Sequence, residues 1–398
     1  MFLNRLLEKN PRLASAAIEA HQRGELPANT YVLDTDTIAR NAAVLAEAAR
    51  ANGLRTYLMA KQYGRNPDAS KAAIAAGLGP VVSVDPVCAY AAHRHDVPVG
   101  HVGHLVQPHR GSEGFLLGAH PEVVTVFSVS VAERIGAAAR VRGIEQAVLL
   151  RVRAPGDRFY FGHGGGFALA DIEREAKAVQ AIEGVRVAGV TSFPCLLADA
   201  EARHIVATPN AGTVAEAADR LRTAGFPIEQ VNMPGTTSTR TLTELATAGA
   251  THVEPGNAVL GTTPLHLFED SAPELPAIVL LSEVSHVDGE DAYAFGAGYY
   301  IDKVLGEFQL TAIAGRDESA LDTVLNVDTA GAGAIHYYNV LRGARKAGIR
   351  EGDSVVFCFR PQSFVTRGRT LAMAGLRDGA PVLRPRYDQE ANLVAEPV

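Results

Sequence analysis

The sequence predicts an α/β protein: a (β/α)8 TIM barrel followed by a C-terminal, mostly-β domain. Two observations support this. Between residues 56 and 255, eight short apolar runs alternate with helical patterns, and apolar strands that alternate with helices indicate a parallel sheet. Eight such units favour a closed barrel. Beyond about residue 265, short β patterns separated by Gly and Asp turns replace the alternation, which is typical of an antiparallel domain.

The predicted elements follow in order along the chain. An Ala-rich helix begins near residue 36, with Thr35 or Asp36 as its N-cap, and a helix between the first two strands ends at Gly77. The eight predicted strands are TYLMA (56–60), VVSV (81–84), HLV (104–106), VVTVFS (123–128), AVLLRV (147–152), VRVAGVTSF (185–193), EQVNMP (229–234) and THVEP (251–255).

We divide the chain into three segments. Residues 1–27 form a helical N-terminal extension, residues 28–265 the barrel, and residues 266–398 the β domain. The first segment carries Glu8 and Arg12 within an amphipathic pattern, so it is not a signal peptide.

The overall composition excludes several classes of protein. Apolar residues make up 47% and charged residues 20% of the 398 residues, as in globular proteins. A net charge of -7 without a basic stripe argues against a nucleic-acid partner. No apolar run reaches the roughly 20 residues that would span a membrane. Cys88, Cys195 and Cys358 are scattered without metal-ligand spacing, which favours reduced thiols in the cytoplasm.

Functional residues of such barrels gather where the strands end. Lys61 ends the first strand, the Gly-Thr-Thr-Ser turn at 235–238 follows the seventh, and Glu254-Pro-Gly-Asn257 ends the eighth. The loops after the last two strands commonly bind phosphate in barrels, and Gly235 with Thr236, Thr237 and Ser238 offers amides and hydroxyls to an anion. A lysine opposite a phosphate site suggests an imine with pyridoxal 5'-phosphate (PLP), because a desolvated amine is nucleophilic.

Several segments resemble the alanine racemase family of fold-type III PLP enzymes. They are YVLDTDTIARNAAVL before the lysine, LMAKQYG around it, GATHVEPGNAVLG after the eighth strand and LSEVSHVDGEDAYAFGAGYY at the start of the β domain. With the segments KQYGRNP and GTTSTRT, the sequence most resembles the YhfX-like branch of this family. In LMAKQYG, Tyr63 follows Lys61 by two residues, which is closer than the family's usual spacing.

The resemblance implies a covalent link between Lys61 and PLP, with Tyr63, Gly256 and Asn257 among the cofactor-binding residues. It also implies a homodimer in which Tyr299, four residues after Phe295, enters the partner's active site. Two bases on opposite faces of the substrate Cα would allow racemisation of a small amino acid.

Glu254 departs from the family pattern, since alanine racemases place an arginine near the pyridine nitrogen. A carboxylate there favours a protonated ring and a stronger electron sink. Because the EPG triplet resembles that of basic-amino-acid decarboxylases, decarboxylation remains an alternative to racemisation. A PLP carrier without catalysis is the third possibility.

Several further positions have both a functional and a structural interpretation. Arg158 is the candidate for the cofactor's phenolic oxygen, and Phe193 for stacking on its ring; a surface ion pair and core packing are the respective alternatives. We expect no metal site from His101, His104 and His109, and expect His104 to line the pocket. His336, Tyr337 and Tyr338 could reach a substrate carboxylate, and Cys358 is expected to be a core residue.

Overall fold

The structure is a computed structural model that describes residues 2–298, 309–330, 335–362 and 368–395. Its strands are β1 (Thr30–Asp34), β2 (Arg55–Thr56), β3 (Leu58–Met59), β4 (Val81–Ser83), β5 (Val99–Val102), β6 (Val123–Val126), β7 (Gln146–Arg153), β8 (Phe167–Ala168), β9 (Val185–Thr191), β10 (Leu196–Asp199), β11 (His204–Ala207), β12 (Gln230–Asn232), β13 (His252–Val253), β14 (Ile278–Asp288), β15 (Asp291–Phe295), β16 (Leu310–Gly315), β17 (Val324–Asp328), β18 (Tyr338–Leu341), β19 (Ser354–Phe357), β20 (Arg369–Ala374) and β21 (Val382–Tyr387).

The helices connect these strands, and short 3-10 turns precede several of them. The α-helices are α1 (Leu3–Lys9), α2 (Pro11–Gln22), α3 (Thr35–Ala51), α4 (Pro67–Ala75), α5 (Pro86–Arg94), α6 (Glu113–Gly118), α7 (Val129–Val141), α8 (Ile172–Gln180), α9 (Pro209–Thr223), α10 (Leu242–Thr247) and α11 (Leu265–Phe268). None of the helices in the described part of the chain is long and apolar enough to span a membrane.

The parallel sheet closes on itself, as the sequence predicts. Its strand order is β2-β13-β12-β9-β7-β6-β5-β4-β3. Strands β2 and β3 are one strand interrupted at Tyr57, whose N–H donates to Val253 O at 2.9 Å while the next N–H, of Leu58, donates to Pro80 O at 2.9 Å. The first strand therefore pairs with both the second and the eighth. The predicted eight-stranded barrel is confirmed.

The third barrel strand is displaced from its predicted position. The structure has β5 at Val99–Val102, before the predicted HLV segment at 104–106. Gly100 interrupts the apolar run, so the sequence pattern did not indicate a strand here. It is required there because a Cβ would lie 2.4 Å from the Tyr57 ring. The shift matters for function, since His101 now lies within the strand and His104 beyond its end.

The N-cap of α3 also differs from the prediction of Thr35 or Asp36. Asp34, the last residue of β1, accepts the N–H groups of Asp36 and Thr37 through Oδ1 at 3.1 and 3.0 Å. A carboxylate placed this way satisfies two of the amides that a helix start leaves without partners.

The second sheet is antiparallel in most of its pairings and confirms the predicted C-terminal β domain. Its order is β15-β18-β17-β16-β19-β14-β1-β20-β21. Strand β1 lies inside it, antiparallel to β14 and parallel to β20.

The described residues divide into two compact units. One contains the segments up to Ala42, Lys61–Ala75 and from Asn257 onward, and the other contains Ala43–Ala60 and Ala76–Gly256. The contiguous domain boundaries drawn from the sequence, at 27/28 and 265/266, stay predictions.

Helices α1 and α2 pack on the antiparallel sheet. Leu6, Leu13 and Ile18 share one apolar core with Val279 and Val356, so burial of this face holds the helices in place. Arg5 fixes the start of α1 by donating to the carbonyl oxygens of Asp270, Ala272 and Glu274 at 2.9, 2.7 and 3.1 Å.

The three cysteines are buried free thiols. Cys358 is a core residue, as predicted, and burial raises the pKa of its thiol to about 12.

Candidate active site

The carboxyl ends of the barrel strands carry most of the predicted site residues. Lys61 follows β3 by two positions and opens a 3-10 turn, Lys61–Tyr63. Phe193 follows β9, the turn at 235–238 follows β12, and Glu254 directly follows β13. Because all these strands are parallel neighbours in one closed sheet, their carboxyl ends share one rim.

Glu254 is the centre of a buried polar cluster in the barrel. Its Oε1 lies 2.6 Å from His101 Nδ1 and accepts from Asn232 Nδ2 at 2.7 Å. His101 Nε2 lies 2.5 Å from Thr125 Oγ1. His104 Nε2 approaches the second carboxylate oxygen, Oε2, at 3.5 Å. Glu254 Oε2 meets no hydrogen-bond partner among the described residues.

Charge in the cluster is concentrated on Glu254. Burial alone would raise the pKa of this carboxyl, but the His104 and His101 rings and the hydrogen bonds from His101 and Asn232 outweigh it and lower the pKa to about 2. The side chain is 1% exposed. Glu254 is therefore an ionised buried carboxylate with one oxygen engaged by two donors and one oxygen available to a ligand.

The turn after β12 is a compact loop. A Cβ at Gly235 would lie 2.5 Å from Leu196 N, so glycine is required for this turn to pack on β10. The N–H groups of Thr236 and Thr237 donate to Leu196 O at 3.2 Å and Gly235 O at 2.9 Å, and Ser238 N–H donates to Thr241 Oγ1 at 2.9 Å. These amides are thus engaged by β10 and by the loop itself.

Side-chain donors are left over in both predicted anion loops. Thr237 Oγ1 is buried without a hydrogen-bond partner in the described part of the chain. In the loop after β13, Asn257 Nδ2 is in the same condition, while Asn257 Oδ1 accepts from Thr262 Oγ1 at 3.3 Å. Buried donors without partners cost free energy unless a ligand satisfies them. Each loop therefore offers a donor to an anionic ligand.

Two sequence comparisons identify the family. Residues 33–264 match the alanine racemase N-terminal domain, and residues 279–383 match the YhfX-like C-terminal domain. The uncharacterized protein YhfX of Escherichia coli K12 is 38% identical over 394 residues, which cover 98% of this chain and 99% of that protein. The chain belongs to the alanine racemase family.

Solved structures share the fold of this alanine racemase family member. D-threonine aldolase from Filomicrobium marinum superposes with a TM-score of 0.67 at 15% identity, covering 92% of this chain and 96% of that one. An alanine racemase from Clostridium difficile 630 in complex with cycloserine has a TM-score of 0.65 at 14% identity, covering 90% and 98%. These proteins are named for different reactions, so the shared fold does not by itself specify the chemistry.

Alanine racemase-like enzymes use PLP, and the polar atoms left over in this chain fit that cofactor. Thr237 Oγ1 and Asn257 Nδ2 are donors, as a phosphate requires. Glu254 Oε2 is an acceptor on an ionised carboxylate, as a protonated pyridine nitrogen requires.

Other predicted residues of this family member have different surroundings. Arg158 has an exposed side chain, and its main-chain N–H donates to Asn210 Oδ1 at 2.9 Å. Tyr63 is fully buried with its hydroxyl 3.0 Å from Ser70 Oγ, and burial raises the pKa of that hydroxyl. Phe193 is half-buried, with its ring centroid 5.9 Å from that of His104. Their cofactor contacts stay predictions.

The second catalytic residue expected from the resemblance, Tyr299, lies outside the described residues. Of the three residues considered for a substrate carboxylate, Tyr337 and Tyr338 are 60% and 40% exposed, and His336 Nε2 lies 2.8 Å from Asn339 Oδ1.

Sequence analysis assigned no role to several buried polar residues of the barrel: Arg151, Asn232, Thr125 and His101. Arg151 donates to the carbonyl oxygens of His104 and His163 at 2.9 and 2.5 Å, and burial lowers the pKa of its guanidinium to about 10. Each of these polar residues interrupts an apolar strand, which was the available signal.

His101, His104 and Glu254 also bring one possible metal-ligand atom each within 4.8 Å of the others. Both ring nitrogens of His101 are already engaged, by Glu254 and Thr125. We therefore interpret the group as a hydrogen-bonded chain. His109, the third histidine of that sequence segment, is exposed.

Proposed function

We propose that this protein is a PLP-dependent amino-acid racemase. The observation that carries the cofactor part of the proposal is the buried, ionised Glu254 at a barrel strand end, whose Oε2 has no hydrogen-bond partner among the described residues. Racemisation is proposed as the reaction because the chain belongs to the alanine racemase family. Such a carboxylate favours a protonated cofactor ring. Lys61 follows the barrel strand β3 by two residues, and the resemblance to alanine racemases implies that this lysine holds the cofactor.

The proposed binding residues divide by the part of PLP they would contact. Lys61 would hold the cofactor covalently, and Glu254 would accept a hydrogen bond from the ring nitrogen. Gly235, Thr236, Thr237 and Ser238 with Gly256 and Asn257 would hold the phosphate. Phe193 would cover one ring face, and Arg158 would contact the cofactor's phenolic oxygen. Tyr63 is the last of the proposed cofactor-binding residues.

Bound PLP supplies an electron sink that stabilises negative charge at the substrate Cα. Glu254 would favour a protonated ring nitrogen, because an ionised carboxylate beside it stabilises the cationic form. The Lys61 amine, when neutral, takes the Cα proton on one face. Tyr299 of a partner subunit returns a proton to the other face, so the proposed active form is a homodimer acting on a small amino acid.

Decarboxylation is the second candidate, and Glu254 is the observation that favours it. The electron sink that bound PLP would supply serves the loss of either a proton or carbon dioxide from the substrate Cα. The two reactions differ only in which Cα bond the site aligns for cleavage. Their products separate them: an enantiomer for the racemase, an amine with carbon dioxide for the decarboxylase.

The test starts with the cofactor. The protein is loaded with PLP and reduced with borohydride, and mass spectrometry locates the label. We expect it on Lys61, with Lys61→Ala unlabelled and Lys71→Ala, changed at an exposed lysine of α4, labelled as in the wild type. A label elsewhere, or none, would contradict the proposal.

The reaction is then tested with a panel of amino acids in deuterium oxide. A racemase incorporates deuterium at Cα of both enantiomers, and Lys61→Ala should slow this by about 1000-fold or more, because it removes both the covalent anchor and a base. Amine formation without an enantiomer would select the decarboxylase.

A further inference from the structure

His101 occupies a position that the proposed chemistry has not used. It lies inside β5 with a side chain that is 0% exposed. Its two ring nitrogens face opposite neighbours, Glu254 Oε1 at 2.6 Å and Thr125 Oγ1 at 2.5 Å. The side chain therefore links a hydroxyl of the next strand to the carboxylate at the end of β13.

The proton arrangement of this link follows from its partners. An ionised Glu254 accepts hydrogen bonds only, so His101 Nδ1 carries the proton that faces Oε1. The Thr125 hydroxyl can donate to Nε2 of a neutral ring or accept from a cationic one, because hydroxyls do both. In either state the bond to Glu254 is made. Asn232 Nδ2, at 2.7 Å, donates to the same oxygen.

Two donors on Oε1 fix which carboxylate oxygen remains available. Among the described residues Oε2 has no hydrogen-bond partner, and His104 Nε2 lies 3.5 Å from it. A buried carboxylate that lost its donors would become neutral by taking up a proton, since desolvation disfavours the charged form. A neutral Glu254 could no longer favour a protonated ring nitrogen.

We propose that His101 is a positioning residue that, together with His104 and Asn232, keeps Glu254 ionised and, by donating to Oε1, leaves Oε2 to the cofactor's ring nitrogen. The inference rests on the proposed function, because it gives His101 a part in controlling PLP. His101 itself touches neither substrate nor cofactor in this role; it acts through Glu254, with Thr125 holding its far side.

The test measures the protonation of the bound ring. Full-length protein is loaded with PLP carrying nitrogen-15 in its ring, and the nitrogen resonance is recorded at neutral pH by solid-state NMR. We expect the pyridinium position in the wild type and in the exposed control His109→Leu. His101→Leu, which leaves His104 and Asn232 in place, should shift the resonance toward the neutral-pyridine position. His101→Gln, which keeps a donor but no charge, should give an intermediate shift.

Borohydride labelling of each sample separates this inference from the proposed function. An unlabelled wild-type Lys61 would overturn both. If the wild type is labelled and its ring nitrogen is neutral, the His101 role is overturned together with the proposed effect of Glu254 on the ring, while the Lys61 link stands. If both His101 variants are labelled and keep the wild-type pyridinium resonance, the His101 role is overturned alone. Should His101→Leu not fold, His101→Gln decides the question by the same comparison.

A second readout needs no cofactor. Infrared spectra of the unloaded full-length chain should show the carbonyl band of a protonated carboxyl in His101→Leu but not in the wild type, and adding Glu254→Gln should remove that band. A carboxyl that stays ionised in His101→Leu would contradict the inference directly.

Discussion

Two buried histidine–glutamate pairs, one in each compact unit, show how similar contacts arise for different reasons. In the unit with the antiparallel sheet, His266 Nε2 lies 3.2 Å from Glu274 Oε2, and both side chains are 0% exposed. Thr263 N–H donates to the other nitrogen of His266 at 3.1 Å. All three residues lie within one short segment, residues 263–274, which includes α11.

The pair in the barrel is assembled from distant parts of the chain. His101, Thr125 and Asn232 come from β5, β6 and β12, and Glu254 follows β13. One oxygen of Glu254 remains without a hydrogen-bond partner in the described residues. The difference teaches that a buried ion pair does not by itself indicate function. Convergence of several strand ends on a group with unused hydrogen-bonding capacity is the better indication.

The largest of three further expected effects tests this contrast between the two pairs directly. Glu254→Gln should slow deuterium exchange at the substrate Cα by about 100-fold or more, since it removes the charge that favours a protonated ring. Glu274→Gln, the matched change in the other unit, should leave the rate near the wild-type value while the protein is folded. Equal losses of the exchange rate in both variants would show that the two histidine–glutamate pairs do not differ in their importance for activity.

An effect of intermediate size concerns acid stability of the barrel. Burial, aided by the charges of Arg55 and His101, lowers the pKa of His252 from 6.5 to about 4. Between pH 6.5 and about 4, His252 therefore binds a proton in the unfolded chain but stays neutral in the folded chain. The free energy of unfolding should decline as the pH falls from 6.5 to about 4, by on the order of 3 kcal/mol from this group.

His252→Phe can keep the stacking on Tyr57, whose ring centroid lies 5.4 Å away, and should flatten that decline in denaturant titrations across this pH range. His109→Phe, a change at an exposed position, should retain the full decline. A slope unaffected by the His252 change would assign the acid sensitivity elsewhere.

The smallest expected effect is structural and belongs to the other unit. Arg5→Met should lower the free energy of unfolding by about 2 kcal/mol, because three carbonyl oxygens lose a donor. The absorption spectrum of bound PLP should stay unchanged. Arg12→Met, at an exposed position of α2, should change stability by no more than about 0.5 kcal/mol. A spectral change in Arg5→Met would show that this helix start affects the site.

Much of the fold was predictable because the barrel repeats one pattern. Seven of the eight predicted runs overlap the strands of the structure. The third failed where Gly100, required by the nearby Tyr57 ring, interrupts the apolar pattern. The position of β1 was not visible either, since its pairing with β14 and β20 joins segments far apart in sequence.

The site was predictable where residues end strands, as for Lys61 and Glu254, because topology alone brings strand ends to one rim. Inside the barrel strands, buried residues face both the interior and the helices. The sequence therefore could not show that His101 and Asn232 point at the same carboxylate. Nor could it show that Arg151 is buried while Arg158 is exposed.

Strand β1 has a consequence for how the chain is made. It is synthesised early, but both of its sheet neighbours, β14 and β20, leave the ribosome much later. All eight barrel strands of a nascent chain can be synthesised while both edges of β1 are still unpaired. Unpaired strand edges are prone to mispairing. We therefore expect truncation after the barrel to yield a fragment that depends on chaperones, and the last step of folding to be the capture of β1 near the end of translation.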